Sequence, residues 1–227
     1  MSAYSGVKGH LVALDCIIFG FENDQLKILL FKRKIEPIGT WSLMGGFLQQ
    51  NESLDDASKR VLFDLTGLKE VYLEQLYAFG EPKRDPYERV ISVTYFALIK
   101  INEYDKEIVK QAGAEWFPAT DFPHLIFDHN NMVQMAWSRL RRKCKTQPIG
   151  FELLPEKLTI PQFQSLYEAI MQQKLDKRNF RKKILSMGLL DKLDEKDKEN
   201  SKKGAFLYTF NKERYEQLSS QGFNFEV

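Results

Sequence analysis

The sequence predicts an α+β protein in two parts, and three observations carry that prediction. Two apolar runs, residues 11–21 and 26–33, flank the polar stretch Glu22, Asn23, Asp24 and Gln25, which is the signature of a β-hairpin. Residues 146–157 hold two prolines and a glycine without any period and read as a linker. Beyond them, apolar residues recur at helical spacing in two short stretches joined by a tight turn, the pattern of a helix-turn-helix. The expected division is a first domain at 1–145, a linker at 146–158 and a second domain at 159–227.

Taken in order, residues 41–48 contain Gly45 and Gly46, where the backbone must bend or approach something closely. Residues 53–65 have helical period, with Leu54, Ala57, Val61 and Leu65 on one stripe. Ser53 suits the N-cap, Asp55 and Asp56 the first turn, and Gly67 the C-terminal cap. Residues 71–79 and 90–99 are rich in strand formers, and 128–145 form a second helix that ends in basic residues. In the second part, Thr159 caps a helix to about residue 173 that turns Phe163, Leu166, Tyr167 and Ile170 inward. Asp176 caps another over 177–187, with Phe180, Ile184 and Leu185 inward. Residues 189–193 and 205–210, separated by a charged, open loop at 194–204, make a two-stranded wing.

Composition excludes several classes. With 43% hydrophobic and 28% charged residues the chain has the make-up of a water-soluble globular protein. No run nears the ~18 apolar residues that cross a bilayer, so no membrane partner is expected, and the start has no secretory pattern. The two cysteines, Cys16 and Cys144, lie at no metal-ligand spacing, which fits free thiols in the cytoplasm. A net charge of +2 is too small to imply nucleic acid. Its local clustering says more: Lys177, Arg178, Arg181, Lys182 and Lys183 form one basic group, and Arg139, Arg141, Arg142, Lys143 and Lys145 another. Each alone fits a solvated helix face as well as a binding surface.

One motif is specific. Gly46 is followed after five residues by Glu52 and after seven more by Arg60, with Leu62, Gly67 and Leu68 following in step. Six points in register over 23 positions resemble the Nudix box, G-x5-E-x7-R-E-U-x-E-E-x-G-U, where U is a large aliphatic residue. The resemblance implies an α/β/α sandwich with a mixed sheet. In that family the box glutamates share a helix face and hold Mg²⁺ or Mn²⁺ against a pyrophosphate. Here Val61 and Leu65 stand at two of those positions, and the shorter Asp64 at the third. Losing two of three carboxylates removes metal affinity and transition-state stabilisation together. No metal, no cofactor and no catalytic residue are therefore expected. Glu52 is expected to pair with Arg60, and Asp64 to be solvated or hydrogen-bonded.

The resemblance continues past the box. Arg84, Asp85 and Pro86, the stretch RVISVTYF at 89–96, and Phe127, Asp128 and His129 are similar to segments of the Nudix-related transcriptional regulators, the NrtR group. So are Pro148, Ile149, Gly150 and Phe151, and the run from Asp176 to Lys183. The degraded box looks nearest to the branch responding to arabinose. This likeness implies a DNA-binding repressor of sugar utilisation with a winged helix, released from its operator by a pentose such as L-arabinose. Two alternatives stay open, an ADP-ribose-responsive regulator of NAD metabolism and an active Nudix hydrolase; a pure interaction module is a further one. A homodimer on a palindromic operator is expected, since one short recognition helix makes few base contacts. The candidate effector-binding residues are Lys32, Trp41, Glu52, Asp85, Arg89, Asp128 and His129. The candidate DNA-binding residues are Lys177, Arg178, Asn179, Arg181 and Lys182, at the start of a recognition helix, with Lys202 and Lys203 at the wing tip.

Overall fold

The computed structural model describes residues 6–103, 106–198, 204–223 and 225. Its first part runs β1 (Leu11–Glu22), β2 (Gln25–Lys32), β3 (Trp41–Ser42), β4 (Met44–Phe47), α1 (Leu54–Thr66), β5 (Tyr72–Phe79), β6 (Val90–Leu98), α2 (Lys106–Ala112), β7 (Ala114–Pro118) and α3 (His129–Thr146). The hairpin forms where the sequence places it. Asn23 and Asp24 both have left-handed φ, 52° and 58°, the tight turn whose twist matches the flanking strands.

Strand β1 lies at the centre of the mixed sheet. It pairs antiparallel with β2 and β4 and parallel with β6, and β5, β3 and β7 complete the sheet. Its apolar run is buried on both faces, as a strand under two layers of helix requires. Leu14, Cys16 and Ile18 pack with Ala57, Val61 and Leu62 of α1 and Val109 of α2. Ile17 and Phe19 pack with Met132, Val133, Ala136 and Trp137 of α3. The sandwich expected from the resemblance is therefore present. Helix α1 begins at Ser53, whose side chain accepts from the Asp56 N–H, and ends at Gly67, φ 74°. The short α2, β3 and β7 are not legible in the sequence.

The second part runs through a 3-10 turn (Phe151–Leu153), β8 (Leu158–Thr159), α4 (Ile160–Met171), α5 (Lys177–Ser186), β9 (Leu190–Asp197), β10 (Ala205–Phe210) and α6 (Lys212–Ser220). Strands β8, β10 and β9 form one sheet. With α4 and α5 they make a winged helix. A capping box joins Thr159 and Gln162 at the start of α4, and Phe163, Leu166, Tyr167 and Ile170 are fully buried. Strand β9 continues to Asp197, into the segment expected to be an open loop.

The expected linker is not slack. Thr146 belongs to α3, Leu158 belongs to β8, and Ile149, Leu153, Leu154 and Leu158 are buried. The Phe151 ring stacks on Phe163 at 4.6 Å and on Phe210 at 4.1 Å. Gly150 has φ 113°, and a Cβ there would lie 3.0 Å from Leu166. These apolar residues have no period because they fill gaps between elements rather than one face of an element. The two parts are also joined directly. The Trp137 indole N–H and the Arg141 Nε–H both donate to the carbonyl of Ile170, at 2.9 and 3.0 Å.

The turn between α4 and α5 is organised by one carboxylate. Glu168 accepts from Gln164 Nε2 at 2.8 Å, from the Leu175 N–H at 3.0 Å and from Lys174 Nζ at 2.7 Å. These donors, Lys174 above all, bring its pKa down to about 2. The folded state thus binds fewer protons at Glu168 than the unfolded state does. The stability from this depression is complete above the ordinary 4.5 and is lost as pH falls toward 2. Glu168→Gln is expected to flatten the decline in urea midpoint between those pH values; a wild-type slope in the variant would refute this. Phe151→Ala is expected to destabilise by about 2 kcal/mol in urea titrations, through lost burial and two ring contacts. A change under about 0.5 kcal/mol, the usual effect at an exposed site, would show that Phe151 adds no packing between the elements it touches.

Candidate functional site

Strands β1, β2 and β4 meet the loop before α3 around a cleft of about 420 Å³. Two glycines make the cleft possible. A Cβ on Gly45 would lie 2.5 Å from the Asp15 carboxylate, and one on Gly46 would lie 2.9 Å from Val61 Cγ2. The floor is apolar, with Phe31, Met44, Ile126 and Leu65. Lys32, Arg33 and Lys34 line it where β2 ends, and Arg84 lines it from the loop before β6. Asp15 and Asp85 are the carboxylates in its lining, so four cations face two acids. Lys34 Nζ also donates to the Gln111 carbonyl at 2.6 Å, and Lys32 Nζ sits 5.9 Å from the Trp41 ring centre.

The inner end of the cleft is a buried charge cluster. Arg84 donates through Nε and a terminal nitrogen to both oxygens of Asp128, at 2.9 and 2.8 Å, and lies 3.8 Å from Asp15. Its side chain is only 3% exposed. Asp15 accepts from Ser92 Oγ at 2.6 Å. The Leu43 N–H donates to Nδ1 of His129 at 3.1 Å, so the ring's proton belongs on Nε2, which lies 3.8 Å from Asp15. Burial holds the imidazole below its ordinary 6.5, against the pull of Asp15 and Asp128. His129 is therefore neutral at physiological pH.

The box forms the neighbouring wall. Arg60 grips Glu52 through two bonds of 2.9 and 2.6 Å and reaches the Phe47 carbonyl at 3.1 Å. The Gln49 N–H also donates to Glu52. The Arg60 contact above all brings the Glu52 pKa down to about 2. The expected brace is thus present. Asp64 is exposed and lies 3.8 Å from Arg60. Val61 is buried beneath Gly46, and Leu65 lines the cleft. A divalent cation does not fit this wall. The oxygen donors of the box are tied to Arg60 or lie beside it, and the cleft-facing positions carry hydrocarbon.

Of the candidate effector residues, Lys32, Asp85 and His129 line the cleft. Asp128 stands behind them, both oxygens engaged by Arg84. Trp41 packs edge-on against Phe117 at 4.9 Å, Glu52 is held in the box brace, and Arg89 reaches the Glu81 carbonyl at 3.3 Å. These three do not line the cleft. Asp15, Arg33, Arg84 and Phe127 do line it and escaped sequence reasoning as site residues. Asp15 was signalled as the single charge inside the apolar run 11–21, and Arg84 and Phe127 by their places in the family-like segments.

Helix α5 carries the other candidate surface. The Asp176 carboxylate accepts from the Asn179 N–H at 2.8 Å and starts the helix. Phe180 and Ile184 are buried, which leaves Lys177, Arg178, Asn179, Arg181 and Lys182 exposed. Lys202 and Lys203 lie outside the described residues. The second basic cluster is largely engaged. Arg139 and Lys143 contact Glu74 at 3.1 and 2.5 Å, and Arg141 stacks over Trp137 at 4.6 Å while holding Ile170.

Comparison with known proteins matches both parts. Residues 9–136 match the NUDIX domain, and 150–210 match the NrtR DNA-binding winged helix domain. The ADPR responsive transcriptional repressor NtrR of Acinetobacter baylyi is 34% identical over 91% of this chain and 84% of its own length. Shewanella oneidensis NrtR, in its complex with a 27mer DNA, is 29% identical with a TM-score of 0.80, over 88% of this chain and 93% of that one. Its NUDIX domain, in complex with ADP ribose, is 32% identical with a TM-score of 0.53, over 60% and 92%. The ADP-ribose pyrophosphatase of Methanocaldococcus jannaschii is 37% identical over 56% of this chain and 73% of its own length. The chain therefore belongs to the NrtR family of transcriptional regulators, with a Nudix domain followed by a DNA-binding winged helix.

Proposed function

We propose that this protein is a homodimeric repressor that holds a palindromic operator through α5 and leaves it when the Nudix cleft binds ADP-ribose. The observation that carries the proposal is the cleft wall. Val61 and Leu65 stand where the family's hydrolases place metal-binding carboxylates, while four cations line the same cleft. Such a site can hold a diphosphate without a metal to activate its cleavage. The effector reading thus moves from the pentose suggested by the degraded box to ADP-ribose. A neutral pentose would bring no negative charge to those cations, and the Acinetobacter and Shewanella relatives are associated by name with ADP-ribose. The hydrolase reading draws on the Methanocaldococcus relative and is weakened by the same two substitutions.

The DNA reading rests on chemistry and position. Arginine can pair bidentately with guanine and asparagine with adenine, and the first turns of a recognition helix lie nearest the base edges. Arg178, Asn179 and Arg181 occupy those turns. Lys177 and Lys182 suit phosphates, which position a protein without reading sequence.

Three outcomes are expected. In operator titrations Arg178→Ala and Arg181→Ala each cost about 1–3 kcal/mol, with specificity relaxed at one base pair, while Lys182→Ala weakens all DNA and lowers the salt slope by about one. Loss of operator binding in an Arg142→Ala/Lys145→Ala pair, with the α5 variants intact, would show that the wrong surface was assigned. Purified protein with Mg²⁺ or Mn²⁺ is expected to release no AMP from ADP-ribose above background; robust turnover would restore the hydrolase reading. Light scattering is expected to give a dimer, and ADP-ribose, rather than L-arabinose, to release the operator. Release by arabinose alone would return the effector to a sugar.

A further inference from the structure

The cleft lining carries a buried donor that no described residue uses. Arg33 follows β2, and its Nε is enclosed with no hydrogen-bond partner among the described residues. The side chain is not loose. A terminal nitrogen donates to the Glu36 carbonyl, and the guanidinium carbon lies 5.9 Å from the centre of the Phe127 ring. The backbone is fixed as well. The Arg33 N–H donates to the Thr40 carbonyl at 2.9 Å, the Gly39 N–H donates to the Arg33 carbonyl at 3.0 Å, and Thr40 Oγ1 donates to the Pro37 carbonyl at 2.6 Å. An enclosed donor on a cation is costly unless an acceptor arrives, and Arg33 lines the cleft where one could.

Phe127 supplies a second, independent observation. Its φ is 49°, the left-handed region, which is uncommon for a bulky side chain and concentrates at ligand clamps. The conformation is held by its surroundings. The Ile126 N–H donates to the Trp41 carbonyl at 3.0 Å, the His129 N–H donates to the Ile126 carbonyl at 3.1 Å, and the ring meets Tyr87 and His129 edge-on at 6.4 and 6.0 Å. The result is an aromatic ring placed on the cleft lining beside the guanidinium of Arg33. Ile35 and Phe47 line the same cleft although 68% and 55% exposed, so further apolar surface is available to a flat ligand.

We propose that Arg33 and Phe127 select a nucleoside diphosphate: the Arg33 side chain turns so that its guanidinium takes a diphosphate oxygen, and Phe127 takes the base on its ring. The inference rests on the cleft being the effector site, and it adds which residues discriminate and against what. A neutral pentose offers no anion to Arg33. A sugar phosphate offers the anion and no base, and a nucleoside monophosphate offers the base with half of the diphosphate.

The test is calorimetric titration of the full chain with ADP-ribose, AMP, ribose 5-phosphate and L-arabinose, for wild type, Arg33→Gln, Arg33→Lys and Phe127→Asn. Wild type is expected to bind ADP-ribose at least about tenfold tighter than the other three. Arg33→Gln is expected to lose on the order of 10- to 100-fold for ADP-ribose, the range of one charge-assisted hydrogen bond, and Arg33→Lys to recover part of it. Phe127→Asn is expected to weaken ADP-ribose and AMP, leave ribose 5-phosphate unchanged, and keep or raise the melting temperature of the ligand-free protein, because asparagine accepts left-handed backbone. Should Arg33→Gln fail to fold, Arg33→Lys decides: full wild-type affinity overturns the proposal, and partial loss supports it. Tight ADP-ribose binding by wild type with unchanged binding in both the Arg33 and the Phe127 variants overturns the assignment of these residues alone. Absence of ADP-ribose binding to wild type overturns the effector reading together with it.

Discussion

The carbonyl of Ile170 is the point on which the two-part architecture depends. The last carbonyls of a helix have no partner within it. At the end of α4 this one accepts from both the indole of Trp137 and the guanidinium of Arg141, two side chains of α3. The helix-turn-helix is therefore finished by the Nudix domain, and the apolar core runs from Met132 and Ala136 through Cys144 and Ile149 to Phe163 and Tyr167 without a break. Helix α3 starts at His129 in the cleft and has 18 residues, about 27 Å at the rise of an α-helix. One stiff element thus has an end in the cleft and a grip on α4. On the proposed reading, a ligand acts on operator binding by preferring one seating of α3 over another, and only to the extent of its differential affinity for the two.

The charge cluster at the start of α3 follows from the same constraint. Asp128 stands at the N-cap position, yet its side chain caps nothing, because both oxygens hold Arg84. A buried ion pair is seldom a gain over well-packed hydrocarbon, since desolvation consumes most of the attraction. What it supplies here is position. Arg84 ties the loop before β6 to α3, Asp15 of β1 accepts from Ser92 of β6, and the neutral His129 accepts from the Leu43 N–H. The Arg84 guanidinium thus joins β1 and α3 on the cleft lining, and Ser92 and Leu43 tie β6 and the chain before β4 to the same cluster.

Much of this was legible in the sequence wherever a residue type answered a local demand. The Asn23 and Asp24 turn, the caps Ser53, Thr159 and Asp176 and the stripe of α4 are local chemistry, and each stands where expected. The Glu52–Arg60 brace was readable from box spacing alone. What stayed hidden depends on tertiary contact. Phe151 looks like any linker residue until Phe163 and Phe210 stack on it. Arg33 looks like one of three surface cations until the turn back to Thr40 encloses its Nε. Trp41 and Arg89 looked like cleft residues by proximity to motifs, and contacts with the Phe117 ring and the Glu81 carbonyl hold them elsewhere. Lysine and arginine clusters of equal charge could not be ranked from sequence, and Glu74 separates them by engaging Arg139 and Lys143.

On the proposed reading, Val61 and Leu65 in the box make physical sense as a change in which state the cleft favours. An enzyme gains rate only from interactions stronger in the transition state than with the substrate. A metal held by the box glutamates is such an interaction, since it meets charge that develops as the pyrophosphate breaks. A sensor needs the opposite, because its signal lasts only while the ligand stays whole and bound. Replacing two carboxylates by Val61 and Leu65 removes negative charge that would repel a diphosphate when no metal lies between them. On that reading, Lys32, Arg33, Lys34 and Arg84 supply attraction for the intact ligand. The Glu52–Arg60 brace has a different role: it reaches the end of β4, the strand that carries Gly45 and Gly46 along β1 on the cleft wall. On the proposed reading, the box spacing of this chain and its missing carboxylates belong together: the scaffold supplies a shape that holds a ligand rather than cleaving it.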